Sequence, residues 1–261
     1  MGARTARAGA ARAGDNPLVE RGARLGYAAT GVLHLLLAWV CVQLAWSGYG
    51  GSADQDGALG LLAGSTVGAA LLWLCVAGFA LLALWHATEA VAGHETSDRL
   101  RSAGRALVHA ALAVTTVGVL RGGSGGASGG ATEGATAGLM AQPAGRVLLG
   151  AVGLAVVAVG AYHVVKGWRR TFLEDLKEHP GTWTERAGRV GYVAKGVALG
   201  VVGGLLVTAA AGATSQAEPG LDPALRALLA LPAGAVLLTL VGLGFAAYGV
   251  YSFARARHAD L

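Results

Sequence analysis

The chain has 261 residues, of which 54% are hydrophobic and 13% charged, and its mean hydropathy is +0.55. A soluble domain carries about 25% charged residues, so there are too few charges here to clothe a soluble surface. The net charge of +5 is not that of a nucleic-acid binder, because the basic residues stand in blocks at the ends of apolar runs rather than in a stripe that could follow phosphates.

A helix needs ~20 apolar residues to cross ~30 Å of hydrocarbon, and six segments meet that requirement. Residues 1–15, alternating Ala, Gly and Arg, read as a disordered basic tail drawn to the inner leaflet. Asn16-Pro17 is a helix-start signal. The first span, roughly 26–46, lies in an uncharged run of 29 residues from Leu25 to Ala53, too long for the ~7–15-residue core of a signal peptide. The second runs roughly 64–87. The third, roughly 103–121, is the shortest: 15 uncharged residues separate Arg105 from Arg121, ~22 Å as a helix, and both arginines must snorkel. The fourth runs roughly 145–166.

After it, Trp168, Phe172 and Leu176 recur at i, i+4 and i+8 beside Arg169, Arg170 and Lys177. This spacing predicts a short interfacial helix lying on anionic lipid. Pro180 ends it, and Thr182 with Glu185 has the spacing of a capping box for the next helix. The fifth and sixth spans run roughly 190–211 and 231–253, and residues 257–261 form a tail. Cys41 and Cys75 both fall inside apolar runs, which suits buried free thiols and offers no disulfide framework.

The loops alternate in character. One side carries Arg4, Arg7, Arg12, Arg21 and Arg24, then Arg99, Arg101 and Arg105. It also carries the basic residues from Lys166 to Lys195, and Arg255 and Arg257. The other side holds Arg121, Arg146 and Arg226, and is Gly/Ser/Ala-rich, as in Gly122–Gly130. The positive-inside rule puts both termini in the cytoplasm of a cell with an inner membrane. The glycine-rich loops are expected to be flexible, without a binding domain.

The chain repeats itself. Glu20-Arg-Gly-Ala-Arg-Leu-Gly-Tyr-Ala-Ala-Thr-Gly-Val32 matches Glu185-Arg-Ala-Gly-Arg-Val-Gly-Tyr-Val-Ala-Lys-Gly-Val197 at an offset of 165, and a weaker copy from Arg99 aligns at an offset of 75. Gln142-Pro-Ala-Gly-Arg-Val-Leu-Leu149 matches Leu231-Pro-Ala-Gly-Ala-Val-Leu-Leu238, and Ser65–Leu72 falls on the same frame. The repeats are 16–93, 94–170 and 171–256, each a two-helix unit, and all point the same way. The expected fold is an all-α membrane protein: six transmembrane helices as three tandem parallel helical hairpins with pseudo-three-fold symmetry. The RxGYxAxGV and PxGRVLL signatures resemble a bacterial integral-membrane family, domain of unknown function 1206, over essentially the whole chain from Asn16. The resemblance implies a membrane location and tandem two-helix repeats, usually three. It supplies no activity and no catalytic residues. The middle copy departs most, with Arg101-Ser102 where the others have Gly-Tyr, and the first lacks the proline.

Four histidines lie in or at the spans. His34 and His109 occupy one repeat position, ~15 Å into the bilayer, where the third copy has Leu199; His86 and His163 share another near the basic end. Ionisable groups at such depth are candidates for proton relays, and two imidazoles on equivalent helices are candidate ligands of a b-type haem. The plain alternative is that each histidine hydrogen-bonds a neighbouring helix and serves packing. Thr30, Arg105 and Lys195 form a second equivalent set, and Glu89, Lys166 and Arg255 a third. Glu89, Arg105 and Lys195 are a candidate charge cluster, either for an anion or lipid head group or as snorkelling cations, with Glu89 pairing Arg105 or Lys195. Gly196, Gly200 and Gly204 make a small-xxx-small stripe for tight packing within the bundle or between subunits of a homo-oligomer.

No Walker A, HExxH or GxSxG motif is present, and no carboxylate lies at mid-depth. The expectation is a non-enzymatic structural or accessory membrane component without a cofactor or metal, whose partner is the bilayer, anionic at the cytoplasmic face, and not nucleic acid. The alternatives are a transporter with a polar path near His34 and His109, and a haem-binding redox protein.

Overall fold

The computed structural model describes residues 17–63, 66–92, 95–121, 143–212 and 221–259. The helices are α1 (Pro17–Trp46), α2 (Gln55–Ala63), α3 (Thr66–Ala92), α4 (Thr96–Leu120), α5 (Pro143–Arg169), α6 (Thr182–Ala210), α7 (Leu221–Leu229) and α8 (Gly234–His258). A 3-10 turn covers Thr171–Asp175. All but α2 and α7 are long and apolar enough to cross a membrane, six spans in all, and the protein is an all-α membrane protein. The tail 1–15 and the glycine-rich stretch 122–130 lie outside the described residues.

Within each repeat the first long helix is α1, α4 or α6, and the second is α3, α5 or α8. The helices pack in the order α4, α3, α1, α8, α6, α5. Every neighbouring pair that joins two repeats is formed: α3 on α4, α5 on α6 and α8 on α1. These contacts are more extensive than those within repeats, α1 on α3 and α6 on α8. The middle repeat differs. Its own helices, α4 and α5, make at most glancing contact and form the two ends of the order. The hairpin expected from sequence is therefore not the spatial unit there. The arrangement is a pseudo-three-fold ring, open at the seam between α4 and α5. α1 is the most buried of the six spans, and α4 and α5 are the least.

Repeat-equivalent glycines set two of the joints between repeats. A Cβ on Gly31 of α1 would stand 3.1 Å from the Gly249 carbonyl oxygen of α8, and one on Gly196 of α6 would stand 2.5 Å from the Gly160 carbonyl oxygen of α5. Gly31 and Gly196 are 165 apart, the repeat offset of the first helices. Gly160 and Gly249 coincide in the frame of the second helices. The same backbone approach is thus used twice, where only hydrogen fits. The third joint has Ala106 and Ala83 at those positions.

Four local expectations are corrected. α4 begins at Thr96, earlier than the expected 103, and carries Arg99, Arg101 and Arg105 inside the helix, while its uncharged stretch stays the 15 residues between Arg105 and Arg121. The interfacial helix does not form. Arg170 turns into the left-handed region at φ 60°, the chain tightens into the 3-10 turn, and Phe172 becomes fully buried beside Tyr192, Tyr248 and Tyr251. Burying that side chain stabilises by about 1.5–3 kcal/mol over leaving it exposed, which outcompetes an amphipathic seat on lipid. Leu176 then bridges to Ala259, and the Lys177 N–H donates to the His258 carbonyl at 2.8 Å. The capping box is also absent. Gly181 caps α6 at φ 88° with no side-chain bond, and Glu185 instead pairs with Arg170 at 2.7 Å and His179 at 3.3 Å.

Finally, two outer loops contain structure. α2 and α7 fold over the end opposite the basic residues, burying Ala58, Leu59, Ala224 and Leu225. Asp222 Oδ1 accepts the Ala53 N–H at 2.6 Å, and Arg226 donates to the Gly51 carbonyl at 2.7 Å, which ties the first repeat to the third.

Candidate functional site

The three residues Glu89, Lys166 and Arg255 lie in the last turns of α3, α5 and α8. Across each joint between repeats stands the residue that follows the signature glycine position: Ser102 on α4, Tyr192 on α6 and Tyr27 on α1. Each charge meets its counterpart. The Arg255 guanidinium carbon is 4.5 Å from the centre of the Tyr27 ring, and the Lys166 Nζ is 5.7 Å from that of Tyr192. Such placement over a ring face is a cation–π contact. In the middle joint both members change together: Glu89 Oε2 accepts from the Ser102 hydroxyl at 3.4 Å. A carboxylate would be repelled by a ring face, and a serine hydroxyl donates to it. The departure of the middle repeat is thus a matched exchange of both partners.

Asp175, in the 3-10 turn, gathers two of these charges. Its Oδ2 lies 2.7 Å from Lys166 Nζ and 3.4 Å from Arg255 Nη2. Lys166 is only 6% exposed, so the pair is enclosed rather than a surface bridge. Arg255 also donates to the Tyr192 hydroxyl at 3.4 Å. Its Nε is buried and has no hydrogen-bond partner among the described residues. Nothing in the repeat pattern marks Asp175, because its loop carries no repeat motif. The tyrosines were visible in the RxGY signature but not as charge partners.

Glu89 does not pair with Arg105 or Lys195 as expected. Its Oε2 receives the Nδ1–H of His86 at 2.8 Å. Among the described residues, neither Arg105 nor Lys195 has a carboxylate within 4.0 Å. Lys195 Nζ instead sits 4.3 Å from the centre of the Tyr248 ring. Thr30, the third member of that set, bonds its own helix at the Gly26 carbonyl.

The histidines are distributed rather than convergent. The Nδ1–H groups of His34, His109 and His163 donate to carbonyls four residues back, at Thr30, Arg105 and Val159, with distances of 2.7–2.8 Å. His34 is buried against Tyr248 at 4.6 Å and Phe245 at 6.1 Å between ring centres. His109 lies 5.4 Å from His86 across the joint of α3 and α4. His163 stacks on Tyr192 at 5.8 Å. Among the described residues no three His, Cys, Asp or Glu side chains gather as a metal site would require.

A profile described as Domain of Unknown Function (DUF1206) matches three times, over residues 25–93, 100–170 and 190–259. The chain belongs to this family. A relative from Bacillus subtilis (strain 168), named Uncharacterized protein YxxB, is 28% identical over 250 residues, covering 90% of this chain and 90% of that protein. No solved structure matches.

Each DUF1206 match contains one two-helix repeat, so every joint between repeats is a joint between matches. Gly196 and Gly200, in the third match, lie where α5 crosses α6: a Cβ on Gly160 would stand 2.9 Å from the Gly200 nitrogen. A Cβ on Gly200 or on Gly204 would meet nothing within 4 Å, so Gly200 joins that face through its backbone, and Gly204, with no such approach to it among the described residues, is not placed on it. Gly203 takes its place, 2.7 Å from the Gly153 carbonyl oxygen by the same measure. The stripe shifts by one residue because a straight helix turns 100° per residue and drifts off an i+4 row. Cys41 and Cys75 are both free and buried in one apolar cluster with Leu33, Leu72 and Phe79.

Proposed function

We propose that this DUF1206 protein is a non-enzymatic structural or accessory component of the bacterial inner membrane, with both termini in the cytoplasm and its basic end against anionic lipid. The observation that carries this reading is the use made of the intramembrane histidines. Three are tied by Nδ1 to their own helix backbone and the fourth to Glu89, and each packs against an aromatic or imidazole ring. All four Nδ1 bonds stay within one helix, so it is the rings rather than these bonds that meet the neighbouring helix. Groups held this way pack helices and form no file along which a proton would move. The orientation rests on the bias of Lys and Arg to one end. Trp168 and Trp183 are exposed at that end, with Arg189 and Arg186 at 4.9 and 5.6 Å from their rings, as suits anchors at the head-group level.

The test has two arms. Proteoliposomes containing the full chain and a pH-sensitive dye are expected to leak no faster than protein-free vesicles, and protein expressed with haem supplied is expected to show no Soret band. A proton flux abolished by His34→Leu, or a Soret band lost in the same variant, would overturn the reading. Single cysteines at residues 124–130, in a chain lacking Cys41 and Cys75, are expected to label from outside the cell. Labelling only from the cytoplasm reverses the orientation.

A further inference from the structure

We propose that Arg105 and Lys195 bind the phosphate of an anionic phospholipid that enters the ring laterally through the seam between α4 and α5. This goes beyond the general attraction of basic loops for a charged surface, since it places one lipid at a built site inside the ring.

The first ground is charge. Arg105 on α4, Lys166 on α5, Lys195 on α6 and Arg255 on α8 lie toward the basic ends of their helices, with Glu89 and Asp175 as the carboxylates near them. Asp175 is shared by Lys166 and Arg255, and Glu89 is taken by His86 and Ser102. Arg105 and Lys195 are left without a carboxylate within 4.0 Å among the described residues, and the buried Nε of Arg255 has no partner there either. Lys195 lies on α6 within electrostatic reach of His34, His109 and His163, which stand on three other helices. It is therefore central rather than peripheral. It is also six residues beyond Arg189 along α6, ~9 Å deeper by helix rise. Glu89 is within electrostatic reach of Arg105 without contacting it, and Lys195 meets Tyr248. Cations at that depth without a contacting carboxylate are costly, and an anion between them lowers the cost. A phosphate oxygen accepts from both an ammonium and a guanidinium, and the guanidinium can engage it with two donors.

The second ground is access. α4 and α5 are the least buried spans and make at most glancing contact. Arg105 on α4 is nevertheless within electrostatic reach of His163 on α5, across two helices whose backbones make at most glancing contact. The seam opens sideways to hydrocarbon, which selects a phosphate carrying acyl chains over a phosphate arriving from water. The lengths of Arg and Lys let both heads reach back toward the head-group level.

The experiment uses the full chain in a neutral detergent. Phosphatidylglycerol is titrated while thermal unfolding is followed, and retained lipid is counted by native mass spectrometry. Phosphatidylglycerol is expected to raise the melting temperature saturably and to be retained. Phosphatidylcholine or inorganic phosphate at the same concentration is expected to do neither. The double variant Arg105→Gln/Lys195→Gln is expected to weaken the apparent affinity at least tenfold, and the exposed control Arg101→Gln to leave it unchanged. Equal stabilisation by phosphatidylcholine, an unchanged affinity in the double variant, or the same effect from inorganic phosphate alone each overturns the proposal. If the double variant fails to fold, a photoreactive phosphatidylglycerol on the wild-type chain decides. It is expected to label α4 and α5, in competition with unlabelled phosphatidylglycerol, and labelling spread over the other spans equally overturns the assignment.

Discussion

Asp54 stands just before α2, and its Oδ1 accepts the Gly57 N–H at 2.9 Å, the bond of a helix N-cap. Burial pushes its carboxyl above the ordinary carboxylate range, with repulsion from Asp56 and Asp222 adding to it, while the Gly57 bond pulls the other way. The folded protein therefore holds this proton more tightly than the unfolded chain. Stability falls as pH rises from the unfolded value through the raised folded one, and the loss is complete above it. Asp54→Asn keeps an acceptor for Gly57 without the charge. Its melting temperature near neutral pH is expected to equal or exceed that of the wild type, with the advantage shrinking in acid. Asp54→Ala removes the cap and is expected to lose about 1 kcal/mol at any pH. Thermal unfolding in detergent across the acid-to-neutral range measures both. An Asn variant no more stable than the Ala variant would show that the Gly57 bond does not cap α2, and an Asn variant with no advantage over the wild type that grows from acid to neutral pH would show that the charge carries no cost. At this scale the sequence was partly readable. The intramembrane histidines and the charged repeat positions could be named from register alone. Their partners could not, because Glu89 had several donors at compatible spacing and the choice of His86 and Ser102 over Arg105 depends on how α3 meets α4.

The helices themselves were legible for a simple reason: a span must satisfy its own backbone in hydrocarbon, so length and hydropathy suffice. What failed were segments whose pattern suits two environments. Trp168, Phe172 and Leu176 have the spacing of a lipid-facing helix, and the protein buries the second and third instead. α7 carries Asp222-Pro223 at its start and an apolar face, a signal masked by the glycine-rich loop around it. Pairing of elements was readable only through the repeat frame, and that frame yields a test. At two joints a cation faces tyrosine, and at the third Glu89 faces Ser102. Glu89→Lys alone leaves a cation beside His86 without its carboxylate, and Ser102→Tyr alone sets a ring against Glu89, so each is expected to destabilise. The double variant recreates the pairing of Lys166 with Tyr192, and is expected to recover at least half of the summed loss in a double-mutant cycle read by thermal unfolding. Additive losses would mean the exchange was not matched. Glycine contacts separate in the same way. Gly160→Leu is expected to cost about 1–3 kcal/mol or more by overpacking the joint of α5 and α6. Gly204→Leu is expected to be near neutral. Equal effects of the two would place the helices in a different register.

At the scale of the whole molecule, the order α4, α3, α1, α8, α6, α5 has a consequence for how the halves hold together. Since α4 and α5 make at most glancing contact, the two halves α1–α4 and α5–α8 meet mainly where α8 lies along α1. That joint is strong. It has the close approach of Gly31 and Gly249 and the bond from Trp46 to Thr239 at 3.0 Å. It also has the Arg24 guanidinium on the Ala256 and Arg257 carbonyls and the outer tie of Ala53 to Asp222. Connectivity across the seam is then dispensable once the protein has folded. A protease site placed within residues 122–142 and cut after purification in detergent is expected to leave the halves together on gel filtration, with a melting temperature within a few degrees of the intact chain. Adding Gly249→Leu, which forces α8 from α1, is expected to release them after cutting while the uncut variant stays whole. Separation of the halves without that substitution would mean that the joint of α1 and α8 does not by itself hold them together, and that the connection between α4 and α5 is needed.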